Sequence, residues 1–369
     1  FDFPGAQNAN SGQYIVKLVP DLDLTADLES SPGYSTKQEK MHGYVNRFLA
    51  PKGVGKESVE NVFTTAFQGF SVKLNAKQLE KLQNDPRVEF VTVDEFFIMA
   101  KPVKPPKNPP TDPAQVTPWG ITRVGGGIDA SGKTAWIVDS GVDLNHNDLL
   151  VDVGRSRSFV TSDRKRNPDD QHGHGTHVAG TIAALDNQIG VIGVAPGATV
   201  VSCRVLDRRG SGYMSWGIAA LQYIESVGQA GDVVNMSIGP SSRYIDALYD
   251  SAVLSTAEKG ILISIAAGNE ADDASFYSPA RNNHQNVYTI SAMDNNDNWA
   301  YFSNYGTPVD YCAPGVSVFS CYKDGGYATM SGTSMAAPHL AGLLLLGAIH
   351  TDGYVSGDPD ENADPIAHH

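Results

Sequence analysis

The chain has 369 residues, of which 41% are hydrophobic and 18% charged, a balance that suits a folded protein with a sizeable core and not a disordered one. Its net charge is −14, and most of the acidic excess falls after residue 100, where 17 basic residues face 28 acidic ones. That argues against a nucleic-acid binder, which needs basic patches, and the longest apolar run, Leu340 to Ile349, is too short to span a bilayer.

The chain opens at Phe1 without a Met or a signal-peptide pattern, as a trimmed or processed chain would. YIVKLVP (14–20) alternates like a strand, and residues 36–50 suit a helix. NVFTTAF (61–67) and GFSVKL (69–74) read as a hairpin. Asn75 then precedes AKQLEKLQ with Gln78 spaced for a capping box, Asp85-Pro86 stops that helix, and VEFVTV (88–93) returns as a strand. The order β-α-β-β-α-β is that of a small ferredoxin-like α+β domain. Residues 101–113, KPVKPPKNPPTDP, hold six prolines and no apolar period, which predicts a stiff, solvated linker. The expected units are therefore 12–100 and 114–369, joined by 101–113.

In the second unit TAWIVDS (134–140), ATVVSCRVL (198–206), DVVNMSIG (232–239) and ILISIAAG (261–268) are near-continuous apolar runs. Such runs predict parallel strands covered on both faces. Helices are expected near 176–185, 214–227 and 243–259. This is an α/β plan with an open sheet whose site lies at the carboxyl ends of the strands. Cys203, Cys312 and Cys321 leave two readings open: a bridge between the last two, or three buried thiols. After Ser334 the chain turns Asp-rich and loop-like, and 347–369 reads as a solvated tail.

The residues with chemistry recur at element ends. Asp139 closes a strand and Asn269 follows another. Ser334 sits in a Gly-Thr-Ser turn before an apolar helix, whose Pro338 is tolerable only in a first turn. QHGHGTHVAG (171–180) holds His172, His174 and His177. A serine before a helix is commonly just a cap, and three histidines in a row suggest zinc. Zinc hydrolases, however, set His at i and i+4 of a helix beside a Glu. Here the spacing is +2 and +3, broken by glycine, with no Glu adjacent. An acid, a base, a hydroxyl and an amide donor, in the order Asp, His, Ser, instead make up a set for acyl transfer.

The blocks VDSGVD (138–143), HGHGTHVAGT (172–181), AAGNE (266–270) and GTSMAAPH (332–339) resemble the four signature blocks of the subtilisin-like serine proteases, across about Ala114 to Gly347. TPWGITRV (117–124) and YSPA (277–280) lean toward the proteinase K branch. Residues 14–100, above all FQGFSVKLNAKQLEKLQNDPRVEFVTVDE, resemble that family's inhibitory propeptide. The resemblance implies a subtilisin-like α/β catalytic domain behind a ferredoxin-like propeptide, in a secreted, monomeric endopeptidase made as a self-inhibited zymogen. Its partners would be polypeptide substrates and its own propeptide, with no nucleic acid and no membrane.

The resemblance also assigns roles. Ser334 would be the nucleophile, His174 the general base and Asp139 its orienting acid. Asn269 and the Ser334 N–H would form the oxyanion hole. Gly210, Ser211 and Gly212 would pair with an extended substrate, and Ser237, Ile238 and Gly239 would form the facing wall. Ala266, Ala267 and Gly268 would flank the S1 pocket, with Tyr277 as its floor. DNQIGVIG (186–193) resembles the family's calcium loop. Its ligands would be the carbonyls of Leu185, Ile189 and Val191 and the side chains of Asn187, Asp148 and Gln115. A second calcium site at Asp310 and the Val287 carbonyl remains open. In the family the propeptide tail lies in the cleft like a product. FFIMA (96–100) then implies Phe97 in S4, Ala100 in S1 and autocleavage between Ala100 and Lys101, with a cut inside 101–113 as the alternative.

Overall fold

The computed structural model describes residues 12–98, 113–163, 165–360 and 362–369. The first unit runs β1 (Gln13–Leu18), α1 (Leu22–Glu29), α2 (Gly33–Leu49), β2 (Val59–Phe63), β3 (Gly69–Lys73), α3 (Ala76–Gln83), β4 (Val88–Val93) and β5 (Phe96–Ile98). Its four long strands form an antiparallel sheet in the order β2-β3-β1-β4, the ferredoxin-like arrangement. The capping box is formed, with Asn75 Oδ1 accepting from Gln78 N and Gln78 Oε1 from Asn75 N, both at 3.0 Å. One helix is unforeseen: α1, which Asp21 caps by accepting from Leu24 N at 3.0 Å. Alternation along β1 serves two interiors at once. Val16 joins the unit's own core with Met41, Phe48 and Phe70, while Ile15 joins a cluster shared with the second unit.

The second unit runs α4 (Trp119–Arg123), β6 (Thr134–Asp139), β7 (Arg157–Ser158), α5 (His174–Ala183), β8 (Thr199–Arg204), β9 (Ser211–Tyr213), α6 (Met214–Val227), β10 (Val233–Met236), α7 (Ala247–Glu258) and β11 (Leu262–Ala266). There follow β12 (Val287–Met293), β13 (Val309–Pro314), β14 (Val318–Tyr322), β15 (Gly326–Met330), α8 (Thr333–Leu346), β16 (His350–Tyr354) and β17 (Pro365–His368). Nine strands form one sheet ordered β16-β17-β13-β12-β11-β10-β6-β8-β7. Every pair in it is parallel except β16–β17. Both faces are covered, as the apolar runs require: Ala135 and Ile137 of β6 pack into one core, Trp136 and Val138 into the other. No helix among the described residues is long and apolar enough to cross a membrane.

Two expectations change, and one open reading is decided. The Asp-rich segment after α8 is not a loose tail, because β17 pairs with β13 and buries Ile366 and Ala367. Pro338 lies beyond the first turn of α8, where the Ser334 carbonyl would normally receive an N–H from position 338. The Ser237 hydroxyl supplies that bond instead, at 2.9 Å. Of the two readings left open for the cysteines, that of three buried free thiols holds.

Candidate active site

Asp139 is the last residue of β6 and His174 the first of α5, which brings the two to the carboxyl edge of the sheet. Both Asp139 carboxylate oxygens lie 2.9 Å from His174 Nδ1. Asp139 is fully buried and His174 almost so. Gly173 precedes the base with φ of 109°, and a Cβ there would stand 2.2 Å from the Tyr322 ring, so only glycine fits this approach. His174, Asn269 and Ser334 line one cavity of about 490 Å³.

Ser334 lies in the first turn of α8, where its N–H has no acceptor within the helix. Its hydroxyl donates to the Ser237 carbonyl at 3.2 Å, reciprocating the bond from the Ser237 hydroxyl to the Ser334 carbonyl. Asn269 follows β11, and its Oδ1 accepts from Thr333 N at 2.8 Å and Thr333 Oγ1 at 3.1 Å. The amide is thereby oriented with its oxygen committed to the helix start and its Nδ2 left to serve as a donor. Glu270 accepts from Asn269 N at 2.8 Å and Asn304 Nδ2 at 3.1 Å, and burial raises its carboxyl pKa.

The three histidines of 171–180 do not converge. His172 lies edge-on to His174 with ring centroids 6.4 Å apart, and its ring nitrogens have no hydrogen-bond partner among the described residues. Burial, and then the His174 ring, lower its pKa to about 4, so it is neutral near pH 7. His177 Nε2 is shared by the carbonyls of Val318 and Ala328, at 3.0 and 3.1 Å, and ties α5 to the β14–β15 hairpin.

Ile238, Gly239, Ala266, Ala267, Gly268 and Tyr277 all line the cavity. The Tyr277 hydroxyl donates to Asp272 Oδ2 at 2.9 Å, and Asp272 is held in turn by Arg243 at 2.6 Å, which fixes that ring. Gly210 forms the turn before β9, which contains Ser211 and Gly212. That strand already has a partner: β5 of the first unit pairs with it antiparallel, Phe97 opposite Gly212 and Ile98 opposite Ser211. Phe97 is buried in the same apolar cluster as Met214 and Ile238. Ala100 and Lys101 lie outside the described residues.

Sequence reasoning missed the contacts behind this seam. Asp94 of the first unit accepts from Ser215 N at 3.0 Å and Ser215 Oγ at 2.6 Å, capping α6 from outside, and from Gln13 Nε2 at 2.7 Å. Burial pushes its carboxyl up to about 7. Gln222 of α6 donates to the Val62 carbonyl at 3.0 Å and accepts from Thr64 N. Tyr34 stacks edge-on against Tyr223, centroids 5.2 Å apart.

The six residues expected to hold calcium come together around the loop 185–191, with Gln115 and Asp148 joining it from other segments. Asp148 accepts from Asn187 Nδ2 at 2.8 Å and Val191 N at 2.9 Å, Asn187 Oδ1 from Ile189 N at 2.7 Å, and the Leu185 carbonyl from Gln115 Nε2 at 3.2 Å. Asp148 is fully buried, forms no ion pair among the described residues, and has its pKa raised by that burial. A buried carboxylate held by Asn187 Nδ2, Val191 N and the Tyr327 hydroxyl, without a cationic partner among the described residues, fits a site for a hard cation. Five of the six expected donors are neutral, and no group of three or more His, Cys, Asp or Glu that could hold a metal ion is found among the described residues. At the weaker site Asp310 Oδ2 accepts from Thr289 N at 2.8 Å.

Residues 132–348 match the subtilase family, and residues 13–97 match the peptidase inhibitor I9 family. The chain is 38% identical to the M-protease of Shouchella clausii over 84% of its own length and 78% of that protein. It is 32% identical to the extracellular serine proteinase of a Thermus species, over 99% of its own length and 86% of that protein. Among solved structures, a cold adapted subtilisin-like serine proteinase superposes with a TM-score of 0.59 at 33% identity, covering 68% of this chain and 97% of the other.

Proposed function

The chain belongs to the subtilase family and carries an I9 inhibitor domain ahead of its peptidase domain, and from that premise we propose how its own residues act. It is a subtilisin-like serine protease built as a self-inhibited zymogen. Ser334 Oγ attacks the scissile carbonyl while His174 takes its proton, and Asp139 holds the imidazole and stabilises its charged form. Asn269 Nδ2 and the Ser334 N–H receive the oxyanion. His174 returns the proton to the leaving amine, and water then hydrolyses the acyl-enzyme. The reading rests on the two Asp139 oxygens 2.9 Å from His174 Nδ1, beside a cavity that His174, Asn269 and Ser334 share. In the resting state the Ser334 hydroxyl is bonded to Ser237 and must turn to His174. Hydrogen bonds of this kind tighten once substrate binds.

Substrate runs extended between Gly210–Gly212 and Ser237–Gly239, held by backbone pairing. Its P1 side chain enters between Ala266–Gly268 and Tyr277. The β5–β9 pairing supports this, since the inhibitory domain uses the same edge. The domains divide at 12–100, 101–113 and 114–369, Phe97 fills S4 and Ala100 fills S1, and autocleavage falls between Ala100 and Lys101. Calcium is held by Gln115, Asp148, Leu185, Asn187, Ile189 and Val191. When bound, it supplies the counter-charge that Asp148 otherwise lacks. The enzyme acts as a secreted monomer on polypeptides, a reading supported by the extracellular proteinase among its relatives.

The test is labelling with a fluorophosphonate and mapping of the adduct, expected on Ser334. Casein cleavage should vanish in Ser334→Ala, and its persistence would overturn the nucleophile assignment. Intact mass of the matured protein checks the cut: a first residue of Ala114 would sink the Ala100–Lys101 site.

A further inference from the structure

We propose that Asp170 is a positioning residue for the base, clamping the loop that carries His174 to the strand that carries Asp139. The inference rests on reading Asp139, His174 and Ser334 as the triad. Asp170 stands four residues before His174 and is almost fully buried. Its Oδ1 accepts from the Ser140 hydroxyl at 2.9 Å, His172 N at 2.9 Å and Gly173 N at 2.8 Å. Its Oδ2 accepts from Thr176 N at 3.0 Å and Thr176 Oγ1 at 2.6 Å. These five donors, with no basic side chain among them, satisfy a carboxylate that would otherwise be costly to bury.

The pattern of donors gives the residue its purpose. Gly173, the cap position of α5, has no side chain with which to close the helix start, and Asp170 closes it from outside. The amides on both sides of His174 are fixed, because Gly175 N donates to Ser140 Oγ at 3.0 Å. Ser140 N in turn donates to Asp139 Oδ1 at 2.6 Å. One residue, Ser140, therefore links the acid through its backbone N–H, and the clamp and the backbone of the base through its hydroxyl. The two segments also touch without a spacer: a Cβ on Gly175 would lie 2.1 Å from the Gly141 carbonyl and 3.1 Å from Asp139 Cβ. Angular freedom of the His174 ring relative to Asp139 is thus set by bonds that converge on Asp170. Among the described residues, the titratable groups close enough to act on that ring are Asp139, His172 and His177.

Asp170→Asn tests this, because it keeps the shape and replaces one acceptor oxygen with a donor that faces other donors. Active sites are counted by stoichiometric fluorophosphonate titration, so that misfolded protein does not dilute the result. Per titrated site, kcat should fall about 10–100-fold, the scale of a slightly misplaced catalytic group, with KM within about twofold. The acid limb of kcat/KM should move to lower pH, because a less well-held Asp139 stabilises the imidazolium less. Ser140→Ala should shift both readouts the same way by less. Wild-type kcat per titrated site with an unmoved limb would overturn the proposal, as would a raised KM at unchanged kcat. If Asp170→Asn yields no titratable enzyme, Ser140→Ala decides, and unchanged kcat per site in it refutes the clamp. A Ser334→Ala protein that still cleaves casein would instead sink the triad reading, independently of Asp170.

Discussion

Ser237→Ala should destabilise the catalytic unit, and the reason lies in α8. Ser237 is fully buried, and its hydroxyl donates to the Ser334 carbonyl at 2.9 Å while accepting from Asn235 Nδ2 at 2.8 Å. Pro338, which occupies the position that would bond this carbonyl, has no N–H to offer. The substitution leaves a buried acceptor and a buried donor unpaired, at about 1–3 kcal/mol each. Partial relaxation sets the expected loss at about 2–4 kcal/mol. Replacing Pro338 with Ala restores an N–H opposite the Ser334 carbonyl, so Ser237→Ala should cost less in that background. A coupling of about 1–2 kcal/mol is expected between the two positions. Guanidinium unfolding in the Ser334→Ala background, where autolysis is removed, measures all four corners of the cycle. Equal costs of Ser237→Ala in both backgrounds, within about 0.5 kcal/mol, would refute the exchange of one donor for the other.

Asn269→Ala should lower kcat by about 10²–10³-fold with little change in KM, read by steady-state kinetics on a peptide substrate, since the oxyanion donor acts only in the transition state. The carboxyl of Asp94 is raised to about 7 at the seam between the two units. A raised carboxyl contributes stability below its unfolded pKa and loses it as pH rises through the folded value. The Tm of the uncleaved Ser334→Ala chain, relative to its Asp94→Asn derivative, should therefore fall between about pH 4 and pH 7 and level off above. A parallel course of the two curves would count against this. Added calcium should raise the Tm of the wild-type chain, and Asp148→Asn should abolish most of that response, as thermal scans with and without chelator would show.

Local signals carried much of this structure. The apolar runs at 134–140, 198–206, 232–239 and 261–268 are parallel strands because both faces of the sheet are covered, so no alternation was needed. The residues singled out at element ends, Asp139, His174, Asn269 and Ser334, come to one edge because parallel strands share a carboxyl end. What stayed hidden depends on partners far along the chain. Pro338 looked confined to a first turn because its substitute donor, Ser237, lies 97 residues from Ser334. Asp94 caps a helix whose first turn is 121 residues away. The segment 350–368 looked loose by composition, and only the open edge of β13 makes it a strand pair. Asp170 had a weak local sign, an acidic residue just ahead of a helix, but its worth shows only when Ser140 folds against it.

The three thiols described above also make the protein its own reporter of motion. Cys203 lies in β8, next to the edge strand β7 and on the side facing the first unit, Cys312 beside Ile366 under the carboxyl-terminal strands, and Cys321 with its sulfur 3.9 Å from Asp148 Oδ2. All are fully buried, and burial pushes each thiol well above its ordinary pKa, so none reacts while its surroundings stay shut. A thiol reagent consequently times three separate events: opening of the sheet under the first unit, peeling of the last two strands, and loosening of the loop around Asp148. Peptide-resolved labelling rates would rank these regions by how often each one breathes.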